Sequence, residues 1–222
     1  MSNRPLLLDL FCGAGGCAVG YHRAGFDVVG VDHKPQPRYP FEFQRADALE
    51  YILELAGYAN GLYAAIHASP PCQSYTCLRS VCRGKQYPDL LAATRRLLKK
   101  TGLPWVIENV PGAPLRSPIM LCAAMFQGHR VYRHRLFESN VPLTAPPHPK
   151  HTVRVNRRKL NRRAHWDAGG YVTVTGDIGA YVGPEAMGID WMTGNELSQA
   201  IPPAYTEYSG KQLLRVIAPA LP

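Results

Sequence analysis

Residues 6–16, which read LLLDLFCGAGG, decide the fold class of this chain. The apolar run 6–10 predicts a short buried strand, and the glycine-rich turn after it opens a helix predicted over residues 15–24. Because glycine has no Cβ atom, a ligand can lie against the backbone amides of such a turn at the helix N-terminus. The same turn can simply join a strand to a helix, so this segment alone leaves both interpretations open.

Strands and helices continue to alternate after this turn. We predict further strands at 28–31, 63–66, 105–107 and 131–137, and helices at 48–56 and 89–100. This alternation predicts an α/β fold with a mostly parallel, doubly wound sheet covered by helices on both faces. Residues 1–139 are therefore expected to form the α/β core.

The composition changes after residue 139. Residues 150–163 contain seven Lys or Arg and no acidic residue, which predicts an irregular basic stretch within a short basic insert over 140–184. A strand is expected at 171–175, and the segment 185–222 is expected to return to the core with helices at 196–200 and 205–216. His148, His151 and His165 could bind zinc, but the sequence shows no clear fourth ligand, so no metal is expected.

The overall composition favours a nucleic-acid partner. The chain has 222 residues, 46% of them hydrophobic, and a formal net charge of +9, which suits one domain with a small appendage and a polyanionic ligand. The six cysteines form no CxxC pair, and we find neither a secretory leader nor a membrane span. We therefore expect reduced thiols in a cytoplasmic protein without a membrane partner.

Two further motifs carry reactive side chains at predicted strand ends. Cys72 lies in the segment ASPPCQ (68–73), where the preceding prolines fix the backbone, and its thiolate would be the nucleophile. Glu108 opens the segment ENV (108–110), and a carboxyl kept protonated there could donate to a ring nitrogen. Taken singly, Cys72 could be an inert buried thiol and Glu108 an ion-pair partner. Together they predict nucleophilic addition to a pyrimidine ring with simultaneous protonation.

Two acidic residues suggest what the glycine turn binds. Asp32, at the tip of the second strand, is placed to bond ribose hydroxyls, and Asp47 could accept from an adenine amino group. An adenosine-containing ligand is therefore expected at the carboxyl ends of the strands. The sequence lacks a phosphate-binding Gly-Lys-Ser/Thr after the turn, which argues against an ATPase.

These motifs, in this order, resemble those of the cytosine-C5 DNA methyltransferases that use S-adenosylmethionine. Residues 9–16 are similar to the family's cofactor motif, 69–73 to its Pro-Cys-Gln motif, and 108–110 to its Glu-Asn-Val motif. Residues 133–135 resemble its Arg-x-Arg motif, and 199–203 its C-terminal motif. The resemblance covers most of the chain outside 140–184. It implies a Rossmann-like class I methyltransferase fold, a duplex DNA substrate with a flipped-out base, and methylation at C5 of cytosine.

The resemblance also assigns roles to individual residues. The catalytic set comprises Cys72, which attacks C6, Glu108, which protonates N3, and Arg133 and Arg135, which hold the base. S-adenosylmethionine would be bound by Asp9, Phe11, Gly13, Ala14, Gly15, Gly16, Asp32, His33, Asp47, Ala48, Ser69, Pro71 and Gln199. The nucleic acid would be contacted by Gln73, Arg79, Arg83, Lys85, Asn109, Arg157, Arg158 and Arg162.

Some features depart from the family pattern. Val131 and Gln199 stand where the family often has Gln and Asn, and the short insert replaces a larger target-recognition domain. We therefore expect short or relaxed sequence specificity. A tRNA substrate, transfer of a different one-carbon group, and an inactive DNA-binding relative remain as alternatives. A monomer of prokaryotic or phage origin, with a cognate restriction enzyme as a conceivable partner, fits the resemblance.

Overall fold

The computed structural model describes residues 4–57, 61–75, 87–153, 155–156, 162–172, 174 and 179–217. Strands and helices alternate through the first half and helices dominate the end. In chain order the elements are β1 (Leu6–Leu10), α1 (Gly16–Ala24), β2 (Asp27–Asp32), β3 (Glu42–Arg45), α2 (Ala48–Gly57), β4 (Ala65–Ala68), α3 (Leu91–Thr101), β5 (Trp105–Asn109), β6 (Ile119–Leu121), a 3₁₀ turn (Ala123–Met125), β7 (Arg135–Ser139), β8 (Val155–Asn156), α4 (Arg162–Asp167), β9 (Tyr171–Val172), α5 (Gly179–Met187), α6 (Gly194–Gln199) and α7 (Pro203–Ile217).

The central feature is a seven-stranded sheet in the order β3-β2-β1-β4-β5-β7-β6. Strands β1 to β5 pair in parallel, whereas β7 runs antiparallel to both of its neighbours. The predicted α/β fold with a mostly parallel, doubly wound sheet is confirmed. Because β1 pairs with β2 on one side and β4 on the other, the strand order reverses there, and ligands bind at such a reversal outside the carboxyl ends of the strands.

Two apolar layers cover the sheet, one on each face. Leu7 packs in the layer that contains α1 and α7, and the next residue, Leu8, packs in the layer of α2 and α3. This alternation along β1 is what a strand buried on both faces requires. Helices α1 and α7 approach closely at Gly20, where a Cβ atom would overlap the Thr206 hydroxyl and the Pro203 carbonyl.

Several element boundaries differ from the sequence-based predictions. The strand expected at 63–66 is Ala65–Ala68, because Leu7 of β1 pairs with Ala65. The strand expected at 131–137 begins only at Arg135, and Val131 forms an isolated bridge to Val172. Strand β3 was missed because its side chains are mainly exposed and charged.

The expectation that the basic stretch 150–163 is irregular was wrong in part, because its described residues include β8 and the start of α4. Strand β8 pairs with β9, which lies further along the segment 140–184. The strand expected at 171–175 is Tyr171–Val172 in the structure, while residues 173 and 175 lie outside the described part.

The final helices begin earlier than expected. Thr193 caps α6 through a capping box with Glu196, and α7 starts at Pro203, a residue suited to the first turn of a helix. In the part of the chain that the structure describes, no helix is both long enough and apolar enough to cross a bilayer.

Candidate active site at the carboxyl edge of the sheet

The glycine turn between β1 and α1 leaves backbone open to a ligand. Gly15 has φ of 87°, and its absent Cβ atom would lie 2.7 Å from Pro40 Cδ, so only glycine fits there. A Cβ atom on Gly13, in contrast, would meet no described atom within 4 Å. The turn is therefore tightly packed at Gly15 and open at Gly13, where a ligand could approach the backbone.

Asp32 lies beside this turn, as the sequence predicted. Its Oδ2 accepts a hydrogen bond from the backbone amide of Gly13 at 3.1 Å, and its Oδ1 accepts from the amide of Lys34 at 3.0 Å. His33 Nδ1 lies 3.2 Å from Oδ1, with its ring exposed. The two hydrogen bonds from backbone amides fix the Asp32 carboxylate. Each of its oxygens keeps a lone pair with which it could accept a hydrogen bond from a ribose hydroxyl.

Asp9 lies in the interior, at the end of β1. It is fully buried, the Tyr39 hydroxyl is 3.5 Å from its Oδ2, and its Oδ1 has no hydrogen-bond partner among the described residues. Burial raises the pKa of the Asp9 carboxyl well above its usual range. Burial of this kind favours the neutral carboxyl over the carboxylate.

Asp47 has a structural task in addition to the predicted adenine contact. Its Oδ1 accepts from the amides of Leu49 and Glu50, at 2.8 Å and 3.1 Å, and so caps α2. The carboxylate is exposed, and Oδ2 takes no part in the cap.

The other predicted cofactor residues differ in exposure. His33 and Gln199 are exposed, and Phe11, Ser69 and Pro71 are half-buried. The buried ones are Ala14, Gly16 and Ala48.

Cys72 is half-buried in the loop that follows β4. The amide of Tyr75 bonds to the Cys72 carbonyl at 2.9 Å, which forms a turn around the thiol. Asn109, at the end of β5, donates from Nδ2 to the Pro70 carbonyl at 3.0 Å and is itself buried. Asn109, predicted to contact substrate, thus fixes the loop that carries Cys72, while Gln73 is exposed beside it.

Glu108 is buried and faces the same space. Its Oε1 forms an ion pair with Arg135 Nε at 3.1 Å, and Ser69 donates a hydrogen bond to the carboxylate. Burial raises the pKa of Glu108 despite the opposing effects of Arg135 and Ser69. The direction of this shift is the one that a proton donor requires.

Cys72 is electrostatically coupled to this acid and to both arginines. Burial and the nearby Glu108 raise the pKa of the Cys72 thiol, whereas Arg135 and Arg133 lower it. A protonated Glu108 does not oppose ionisation of Cys72, so the two groups can act in opposite protonation states. The structure therefore brings Cys72, Glu108 and Arg135 together as predicted.

Arg133 makes its hydrogen bonds to backbone carbonyls outside this group. Its guanidinium donates to the carbonyls of Val174 at 2.8 Å and Ser198 at 2.7 Å. The Tyr205 hydroxyl donates a hydrogen bond to the backbone carbonyl of Arg133. Burial, and then the charge of Arg135, lowers the pKa of Arg133 to about 9. Arg133 ties the start of β7 to the C-terminal segment, and of the two predicted base-holding arginines it is Arg135 that contacts Glu108.

The C-terminal segment packs against the glycine turn. A Cβ atom on Gly16 would overlap the Ile201 carbonyl, and Trp191 Nε1 donates to the Ala14 carbonyl at 2.8 Å. These contacts explain how residues near 199–203 come beside the turn. Trp191 was missed in the sequence, where a tryptophan outside a recognisable motif gives no signal.

A buried hydrogen-bonded chain behind the site was also missed. The Tyr21 hydroxyl lies 3.0 Å from His67 Nδ1, His67 Nε2 lies 2.9 Å from Ser69 Oγ, and Ser69 bonds to Glu108. Burial lowers the pKa of His67 to about 3, so its ring is neutral. A histidine within the apolar strand β4 was the available signal. Ser69, which was predicted to bind the cofactor, connects the hydrogen bonds of Tyr21 and His67 to Glu108.

The predicted nucleic-acid contacts lie mostly outside the described residues. This applies to Arg79, Arg83, Lys85, Arg157 and Arg158, whereas Arg162 begins α4. Their assignment therefore stays a prediction.

Comparisons with known proteins were made for sequence and for structure. No family model and no curated protein matches the chain. Among solved structures, a candidate DNA modification methyltransferase from an Escherichia coli prophage matches with a TM-score of 0.63 and 15% identity, covering 96% of this chain and 99% of that one. Dnmt2 of Schizosaccharomyces pombe matches with a TM-score of 0.59, and the methyltransferase EhMeth of Entamoeba histolytica with 0.57, each at 12% identity and covering 97% of this chain and 99% of the other. At these identities the comparison concerns the fold: this chain has the fold of these methyltransferases.

Proposed function

We propose that this protein is a DNA cytosine-C5 methyltransferase that uses S-adenosylmethionine. The observation that carries the proposal is the convergence of Cys72, Glu108 and Arg135, from one loop and two strands, at the carboxyl edge of the parallel strands. The glycine turn and Asp32 lie at the same edge, beside β1. A thiol, a buried acid and an open glycine turn at one edge of the sheet suit group transfer to a pyrimidine.

The residues around the glycine turn fit S-adenosylmethionine. Gly13 offers open backbone, Asp32 offers carboxylate oxygens for ribose hydroxyls, and Asp47 keeps Oδ2 available for an adenine amine. Phe11, half-buried at the start of the turn, offers an aromatic surface for the adenine. When bound there, this cofactor supplies an electrophilic methyl group on a sulfonium.

The side chains of the site perform the covalent chemistry. The Cys72 thiolate adds to C6 of cytosine, while protonated Glu108 gives its hydrogen to N3, so that negative charge does not accumulate on the ring. The addition leaves C5 as a nucleophilic enamine carbon. After C5 has been substituted, a base takes the C5 proton, the C5–C6 double bond re-forms, and Cys72 leaves as the thiolate while N3 returns its proton to Glu108.

Arg135 and Asn109 prepare these two groups. Arg135 holds the Glu108 carboxyl at 3.1 Å and lowers the pKa of Cys72, which favours the thiolate. Asn109 holds the Cys72 loop through the Pro70 carbonyl. Both interactions exist in the protein alone, so the site is organised before substrate arrives.

DNA is proposed as the substrate because of the charge of the chain and its insert. We assign residues 1–139 to the core, 140–184 to a small recognition insert and 185–222 to the segment returning to the core. Phosphate contacts from Arg157, Arg158 and Arg162 would position the duplex, and the target cytosine would be flipped into the crevice.

A mechanism-based trap tests this proposal directly. The protein is incubated with S-adenosylmethionine and duplex DNA in which cytosine is replaced by 5-fluorocytosine, and conjugates are measured by intact mass. A covalent conjugate is expected for the native protein and none for Cys72→Ser. Labelled S-adenosylmethionine and ordinary DNA should yield 5-methylcytosine, and tRNA should not compete. If the cofactor binds but no conjugate forms on any DNA, the proposal is wrong.

A further inference from the structure

A second cluster of ligand-type side chains lies outside the candidate active site. It consists of Cys122, His134, His148 and His151, and one donor atom from each lies within 4.8 Å of all the others. Cys122 follows β6, His134 directly precedes β7, and His148 and His151 lie in the loop after β7. Three separate segments therefore converge on one point.

Two donor distances already match a tetrahedral metal site. Cys122 Sγ lies 3.5 Å from His151 Nε2, and His134 Nε2 lies 3.1 Å from His148 Nε2. With Zn–S near 2.3 Å and Zn–N near 2.0–2.1 Å, a tetrahedron has an S–N edge of about 3.6 Å and an N–N edge of about 3.3 Å. Side-chain shifts of about 1 Å would bring the remaining pairs to the same lengths.

We propose that Cys122, His134, His148 and His151 together bind one Zn²⁺ ion. One thiolate and three imidazoles form a donor set that zinc prefers, whereas Ca²⁺ and Mg²⁺ select oxygen ligands, which this set lacks. Four protein ligands fill a tetrahedral coordination sphere. The site is therefore structural, with no position left for water or substrate.

The surroundings of the donors support this assignment. Cys122 is fully buried, and the backbone amides of Ala124 and Arg133 donate hydrogen bonds to its sulfur, as partners of metal-bound ligands commonly do. The Tyr132 ring stacks on His151 with centroids 3.7 Å apart and an interplanar angle of 14°. These contacts orient the donors from outside the cluster.

Exposure distinguishes this cluster from ordinary packing. His148 and His151 are exposed, and each could bond to water instead of being held against another ring. Ordering exposed side chains costs conformational entropy, which stacking and weak hydrogen bonds between neutral rings hardly offset. Coordination of a shared ion gives a sufficient reason for this arrangement.

The proposal replaces the sequence-based expectation that no metal is bound. That expectation considered His148 and His151 together with His165, but His165 Nε2 lies 3.0 Å from the Tyr171 carbonyl and outside the cluster. The missing ligands are Cys122, distant in sequence, and His134, which lies within the Arg-x-Arg segment. The ion would fasten the loop after β7 to the strand start that presents Arg135.

Metal analysis of matched variants tests the proposal. Protein expressed with added zinc is dialysed and its zinc content is measured by plasma mass spectrometry. About one zinc ion per chain is expected for the native protein and for the control His165→Gln, and less than about a fifth of that for His148→Gln and Cys122→Ser. Because His148 is exposed, His148→Gln should keep the native far-ultraviolet circular dichroism even if Cys122→Ser fails to fold.

Cobalt provides an independent readout on the same proteins. Native protein stripped by a chelator and reloaded with Co²⁺ should show intense tetrahedral visible bands and a thiolate-to-cobalt charge-transfer band. His148→Gln should bind Co²⁺ more weakly, and His165→Gln should match the native protein. A folded native protein without zinc and without these bands overturns the proposal, and so does zinc that persists in His148→Gln.

Discussion

The ion pair between Arg95 on α3 and Glu138 on β7 provides a sharp test of what holds the fold together. Arg95 donates from Nε and Nη2 to the two carboxylate oxygens of Glu138, each at 2.7 Å, and Nη2 also donates to the Pro114 carbonyl at 3.0 Å. The Arg116 amide donates to Glu138 at 2.8 Å. The side chains are only 9% and 4% exposed, so neither can be rehydrated without local opening.

Replacing Glu138 with Ala should therefore lower the free energy of unfolding by about 3–5 kcal/mol, because it leaves the Arg95 guanidinium buried without its counter-ion. Arg95→Ala should cost a similar amount. The double variant should cost less than the sum of the single variants by about 2–3 kcal/mol, because no unpaired charge remains. Its residual cost reflects the Pro114 carbonyl and Arg116 amide, which both lose a partner.

Urea unfolding followed by circular dichroism measures these differences, with the m-value as a check that the denatured state is unchanged. Glu207→Ala is the matched control. It breaks an exposed pair with Lys211 at 2.6 Å on α7 and should cost no more than about 0.5 kcal/mol. A loss for Glu138→Ala no larger than that of Glu207→Ala, or fully additive single variants, would show that the buried pair does not stabilise the fold as described.

Three further outcomes are expected. Glu108→Gln should reduce kcat for DNA methylation by about 10²–10⁴-fold without weakening cofactor binding, because it removes the acid that protonates N3. Turnover near the native rate would exclude Glu108 as the proton donor. Alkylation of Cys72, followed by peptide mass spectrometry, should increase at a higher pH than alkylation of an ordinary thiol, because burial raises the pKa of Cys72. Arg135→Gln should move this increase to still higher pH by removing a cation that favours the thiolate. A shift of the increase to lower pH would contradict this. Gly20→Ala should lower the free energy of unfolding by about 1–3 kcal/mol, because the added Cβ atom would overlap α7. In Gly61→Ala the added Cβ atom would meet no described atom within 4 Å, so this variant should be as stable as the native protein. Equal effects of the two variants on unfolding would show that α1 and α7 are less tightly packed.

The sequence predicts the elements whose local pattern and tertiary role agree. Strand β1 and helix α1 have a continuous apolar run, a glycine turn and a terminating Gly25, and the structure reproduces their limits within one residue. Strand β3 gives no such signal, because its exposed polar residues are held by pairing with β2 alone. Pairing partners distant in sequence decide such strands, and a local pattern does not contain them.

The same distinction applies to the site. The proximity of Cys72 and Glu108 could be predicted because Cys72 follows β4, Glu108 lies near the end of β5, and a parallel sheet brings these two strand ends to one edge. The hydrogen bonds of Arg133 to Val174 and Ser198 could not, because they depend on how the C-terminal segment returns. The convergence of Cys122 with His148 likewise depends on the path of the loop after β7.

The packing of Ile201 on Gly16, and of α7 on α1, has a consequence for biosynthesis. A ribosome releases α1 long before α7, so Tyr21 and its neighbours on α1 emerge without the surface that later covers them. The emerging polypeptide should therefore need shielding by a chaperone, and the crevice should become competent only once the final helix has left the exit tunnel.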